Sequence, residues 1–204
     1  MNTVATLWLW NRIPWDDLPE SAKVDFSLFL LNLKPTVRFL TESGFSPKDL
    51  QLVMNSYHFD FVNEAIYIAK NENDLSALVI SDNRCVPHEQ ELGSLLGYPP
   101  CCCKKIELVG ESFIDMYAEQ FIKTVEKRSL LDISCYKKGI SLVSHIPCSP
   151  DCEPSLKIAR LLLNFIRTAA GYEEPFELWR KRLLTYYYKE FNKTNTLSPN
   201  TSNN

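Results

Sequence analysis

The stretch 149-SPDCEPSLKIARLLLNFIRTAAG-171 decides the fold class. Its Leu156, Ala159, Leu163 and Ile166 recur at three- and four-residue spacing, which gives one apolar face at the helical period. Ser149 reads as the N-cap and Pro150 as the first helical position, where a missing N–H costs nothing; Gly171 reads as the stop. Working outward, Val24 to Leu33 is a buried helix broken near Pro35. The start signal Ser46-Pro47 opens one long or two consecutive amphipathic helices running to about Lys70. Residues 88–97 form a short helix ending at Gly97, Phe113 to Lys127 another, and Pro175 to Phe191 the last. Two short apolar runs, 77-ALVI-80 and 139-GISLV-143, are the strand candidates. The expected fold is therefore mainly α, a helical single domain over residues 1–191, with α+β and a small two- or three-stranded sheet as the alternative. The polar end, 192-NKTNTLSPNTSNN-204, reads as a disordered tail.

The chain has 204 residues, 45% of them hydrophobic, and a net charge of -3. That is enough apolar surface for a core and places the chain outside the disordered class. Lys and Arg are scattered, so no basic stripe advertises nucleic acid. The opening 1-MNTVATLWLWNRIPWDDLPE-20 has no positive n-region and runs into Asp16 and Asp17, unlike a secretory signal. No run is long enough to span a bilayer. A cytoplasmic protein is expected, with no membrane and no nucleic-acid partner.

Seven cysteines in a reducing compartment point to metal binding, redox chemistry or burial more than to disulfides. Three are consecutive, in 98-YPPCCCKK-105, behind Pro99 and Pro100, which suit a helix start or tight turn. Two more lie in 145-HIPCSPDC-152, with His145, Cys148 and Cys152 at H-x2-C-x3-C spacing. Cysteines at a helix start sit where unpaired N–H groups and the dipole favour thiolate. Two such starts facing each other would form one electropositive site for a soft ion. Successive helical residues diverge by about 100°, so Cys101, Cys102 and Cys103 cannot all face one ion. The expected ligands are Cys102, His145, Cys148 and Cys152, with Cys101 as the substitute for Cys102 and Cys103 turned to the core. Zinc, iron or an iron–sulfur cluster would suit them. The alternatives are a helical interaction protein with structural cysteines, and a thiol redox protein using Cys148 and Cys152.

The segments 95-LLGYPPCC-102 and 145-HIPCSPDC-152 together resemble the two signature segments of an uncharacterised family of small prokaryotic proteins, an LGYP-x-CC element followed by an H-x-PCS-x-x-C element. Leu96, Gly97, Tyr98 and Pro99 match the first motif, Pro100 fills its variable place, and Cys101 and Cys102 its cysteine pair. His145, Pro147, Cys148, Ser149 and Cys152 match the second. Cys103 lies beyond the pattern. The resemblance implies one shared site and names no reaction.

Other polar groups carry less. Cys85 and His88 have C-x2-H spacing that chance produces often, and His58 reads as a helix-surface histidine. Glu111 and Asp115 share a helix side but lack the histidine pair of a di-metal carboxylate site. The stretch 179-WRKRLLTYYYKEF-191 reads as a surface helix with Leu183, Leu184, Tyr187 and Phe191 inward, and its apolar side offers a homodimer interface. A small-molecule substrate is the expected partner of the cysteine site.

Overall fold

The computed structural model describes residues 10, 13, 15–41, 57–84, 89–169, 171–188, 190 and 192. Its described α-helices, in chain order, are α1 (Glu20–Leu30), α2 (Glu72–Asp82), α3 (Glu89–Leu95), α4 (Pro100–Val109), α5 (Ile114–Thr124), α6 (Glu153–Thr168) and α7 (Glu174–Tyr186). Three strands, β1 (Thr36–Leu40), β2 (His58–Val62) and β3 (Ala65–Ala69), form an antiparallel sheet in the order β1-β3-β2. The protein is thus mainly α with a small sheet, and no described helix is long and apolar enough to cross a membrane.

The sheet does not lie where the sequence suggests. The helix expected up to Lys70 is, over residues 58–69, a β-hairpin; the Ser46-Pro47 start lies outside the described residues. Its tip is Asn63-Glu64, both at positive φ (50° and 65°), the backbone of a tight hairpin turn whose twist matches the strands. The run Ala65–Ala69 is apolar throughout and so suits a strand as well as a helix, and as the central strand β3 it is buried along its whole length. His58 consequently sits on an edge strand and is exposed. β1 pairs with β3 on its other side, from Thr36 opposite Ala69 to Leu40 opposite Ala65.

Both expected strands are corrected. Residues 77–80 lie inside α2, because Asn71 in the preceding polar run is its N-cap and accepts from the Asp74 N–H at 2.9 Å. Glu72 and Asp74 then complement the helix dipole in the first turn. Residues 139–143 hold only an isolated bridge, Cys135 to Ile140. Gly139 has φ +67°, and a Cβ there would meet the Glu20 carbonyl at 2.5 Å, so the chain turns at this point. Ser141 Oγ then donates to the Val143 carbonyl at 2.7 Å, curling the segment away from ladder pairing.

The start of α6 moves as well. Ser149 and Pro150 belong to a turn closed by the Cys152 N–H on the Ser149 carbonyl at 3.2 Å, and Cys152 is the N-cap. Pro154 explains the shift. In a helix begun at Pro150 it would be an interior proline, lacking the N–H owed to the Pro150 carbonyl and clashing with it; as the second residue of a helix begun at Glu153 it is harmless.

The core is aromatic at one end. Trp10, Trp15, Phe176 and Trp179 interlock, with ring centroids of Trp10 and Phe176 4.9 Å apart and those of Trp15 and Trp179 5.8 Å apart. Trp179 Nε1–H donates to the Gly139 carbonyl at 2.8 Å, which ties α7 to the loop before the cysteine segment. Leu183 and Tyr187 point inward, while Arg180 pairs with Glu177 and donates to the Ile166 carbonyl at 2.8 Å, joining α7 to α6. A polar group lies beneath: Lys34 pairs with Asp25 and donates to Ser144 Oγ at 3.0 Å, and Tyr136 donates to Asp25 at 2.8 Å. Buried charges require such partners.

The hairpin has a test whose sign differs between the two readings. Glu64→Gly relieves a side chain held at positive φ and raises stability by about 0.5–1 kcal/mol in urea unfolding. In a helix the same change would cost about 1 kcal/mol.

Candidate metal centre

Two helix starts meet at the cysteines. Pro99 and Pro100 begin α4, with Pro99 as N-cap, so Cys101 and Cys102 fall in its first turn. Gly97 makes the approach: its φ is +75°, and a Cβ there would lie 2.5 Å from Pro35 Cδ. A side chain at that position would push the corner off the start of β1. On the other side, the turn 148–151 presents Cys148, and Cys152 caps α6.

The sulfurs of Cys101, Cys102, Cys148 and Cys152 all lie within 4.8 Å of one another. Cys101 to Cys102 is 4.0 Å, Cys101 to Cys152 3.7 Å, and Cys102 to Cys152 3.6 Å. Cys101 is exposed and Cys148 half-buried, while Cys102 and Cys152 are buried. Four closely spaced thiols of this kind could hold a metal ion. Cys103 turns the other way, its thiol donating to the Tyr98 carbonyl at 3.5 Å. Cys135 lies apart beside Ser134, and Cys85 and His88 lie outside the described residues.

His145 is outside the sulfur group. Its Nε2 lies 2.7 Å from Ser155 Oγ, and that hydroxyl donates to Cys152 Sγ at 3.2 Å and lies 3.4 Å from Cys102 Sγ. With its one proton on Cys152, Ser155 accepts from a His145 carrying its proton on Nε2. Burial, with the Lys34 ammonium nearby, lowers the His145 pKa to about 3, so the ring is neutral. It packs against Tyr98 at 5.2 Å between centroids, and Lys34 lies over the other part of that contact, 4.9 Å from the Tyr98 ring.

The thiols are not equivalent. Burial pushes Cys102 far up and Cys148 to about 11, the neighbouring cysteine thiols adding to the rise at Cys148. Burial would raise Cys152 too, but the donors that Ser155, Cys148 and Cys102 turn toward it outweigh that and bring it to about 7. Tyr117, whose hydroxyl donates to the Pro147 carbonyl at 2.9 Å, is raised to about 12 by burial and by the adjacent sulfurs. Without a metal, then, Cys152 ionises before Cys102 and Cys148.

Ser155 is the residue the sequence reading passes over. Its signal was its place three residues after the cap, where a side chain can reach back to the cap. Lys34 had no local signal, being brought to the site at the start of the sheet, and Tyr98 stood in the first motif without an assigned role. Ser155→Ala should raise the Cys152 pKa by about one unit or more. Thiolate absorbance of the metal-free protein across a pH titration reads the change, and an unmoved titration would remove Ser155 from this role.

One protein-family model, described as a protein of unknown function (DUF483), matches residues 62–184, more than half of the chain. The match includes all four clustered cysteines, His145 and Ser155. No curated protein and no solved structure matches the chain at the significance required.

Proposed function

The chain belongs to the DUF483 family, and we propose that it is a metalloprotein in which Cys101, Cys102, Cys148 and Cys152 bind a single zinc or iron ion. One observation carries the reading: the sulfur separations of 3.6, 3.7 and 4.0 Å. A tetrahedral ion at about 2.3 Å from each thiolate needs sulfurs about 3.8 Å apart. A cluster of several irons would spread sulfurs bound to different irons well beyond that, so the geometry favours one ion over an iron–sulfur cluster. Four thiolates around a divalent ion leave a net charge of about -2, which the first turns of α4 and α6 offset.

A four-sulfur site is closed, without the open position that hydrolytic metal sites keep. Zinc there would staple α4 to the 148–152 turn and α6; iron there would carry an electron. His145 supports the site from behind, through Ser155, and Cys101 supplies the fourth ligand. Thiol redox chemistry is the second reading, favoured by the lowered pKa of Cys152 and by thiols at 3.6 and 3.7 Å from it. A disulfide would need these pairs to close to about 2.0 Å.

Elemental analysis of protein purified without chelator should find about one zinc or iron per chain and no acid-labile sulfide. Cys102→Ser and Cys148→Ser should each lose the metal, whereas His145→Ala should keep it at wild-type stoichiometry. Metal-free wild type with one disulfide per chain would support the redox reading instead.

Binding should also release protons. Cys102 and Cys148 are neutral thiols at neutral pH, their pKa values being raised, and both must ionise to bind. Acid therefore weakens binding, by at least about a hundredfold per pH unit if two protons leave per ion. Competition with a chelator at several pH values measures the slope, and a flat profile would remove these thiols from the ligand set.

A further inference from the structure

We infer that the cavity beside His145 binds a small organic carboxylate with an apolar body. The cavity has a volume of about 510 Å³, within the range that encloses small organic ligands. Ile122 of α5, Ile133 and Ile146 give it an apolar side. Lys137 and Lys138, from the short 3-10 turn Tyr136–Lys138, face this with Ser144 and His145. Asp115 is the single lining carboxylate among the described residues, so the lining holds two lysines against one acid and its balance is positive.

Ser144 sharpens the preference for an anion. Its oxygen accepts from the buried Lys34 ammonium at 3.0 Å, and its own proton finds no acceptor among the described residues. That open hydroxyl on the cavity wall can donate to a carboxylate oxygen, while the Lys34 charge behind it is already balanced by Asp25. His145 contributes a neutral ring to the wall, leaving the two lysines to set the charge. A single net positive charge beside three isoleucines suits a monocarboxylate with a hydrocarbon body. The same His145 reaches the sulfurs through Ser155, so the pocket and the metal centre share one wall. Only that consequence rests on the metal reading; the pocket does not.

The test is calorimetric titration of the full chain, with metal content measured on the same sample, using octanoate, octan-1-ol and octylammonium as probes. Octanoate should bind once per chain and at least about tenfold more tightly than either of the others. Lys137→Glu combined with Lys138→Glu, both exposed positions, should weaken octanoate at least about tenfold and leave octan-1-ol unchanged. Ile122→Trp fills the cavity and should abolish octanoate binding while the thermal transition persists. Octanoate that binds no more tightly than octan-1-ol, that ignores the paired charge reversal, or that fails to bind the folded wild type overturns the proposal. Octanoate binding by a chain free of metal supports the pocket and refutes the metal centre alone.

Discussion

The cysteine site depends on two helices starting at the same point in space from opposite sides of the sequence. Pro99-Pro100 and Pro154 set those starts, because a proline fits the first turn of a helix and breaks an interior. Where α4 and α6 begin, their dipoles add, and the sulfurs that line the junction are Cys101 and Cys102 from one helix and Cys152 from the other. Cys148 closes the group because the Ser149–Cys152 turn folds it back over the cap. The positive ends of two helices thus face a set of groups that become anionic, which is the electrostatic condition for gathering thiolates.

Behind the sulfurs runs a buried polar path. Ser155 touches Cys102, Cys152 and His145; His145 packs on Tyr98; Lys34 lies over Tyr98 and pairs with Asp25. Each member has a partner, which is the condition for tolerating polar groups at this depth. The path joins α1 and the start of β1 to the α4–α6 junction. It also explains why His145 stays neutral: a proton there would sit in a buried place next to a lysine.

Helix content was legible from residues alone where the signals agreed. In α6 the apolar period, the flanking breakers and the length all favoured helix, in α5 the apolar period alone did, and both formed. The hairpin was not legible because Phe61, Ala65 and Ile68 recur at helical spacing while Ala65–Ala69 is also a continuous apolar run, and the choice fell to burial: β3 found a strand on each side. Residues 77–80 failed for the opposite reason. Their β-branched run reads as strand, yet the Asn71 cap and the acidic first turn outweigh it.

By itself the sequence determined that cysteines would stand at helix starts, because proline and cysteine spacing is a local property, and that one of three consecutive thiols must face away. It determined the dominance of helix for the same reason. Only tertiary structure decided which side chains meet. Cys101 stands with the other sulfurs, and His145 stands two hydrogen bonds behind them, through Ser155, because the 145–148 segment carries the imidazole under Tyr98 before the chain turns at Ser149. Spacing along a chain fixes which residues share a turn, whereas the distance between segments some 40 residues apart is set by the packing that covers both.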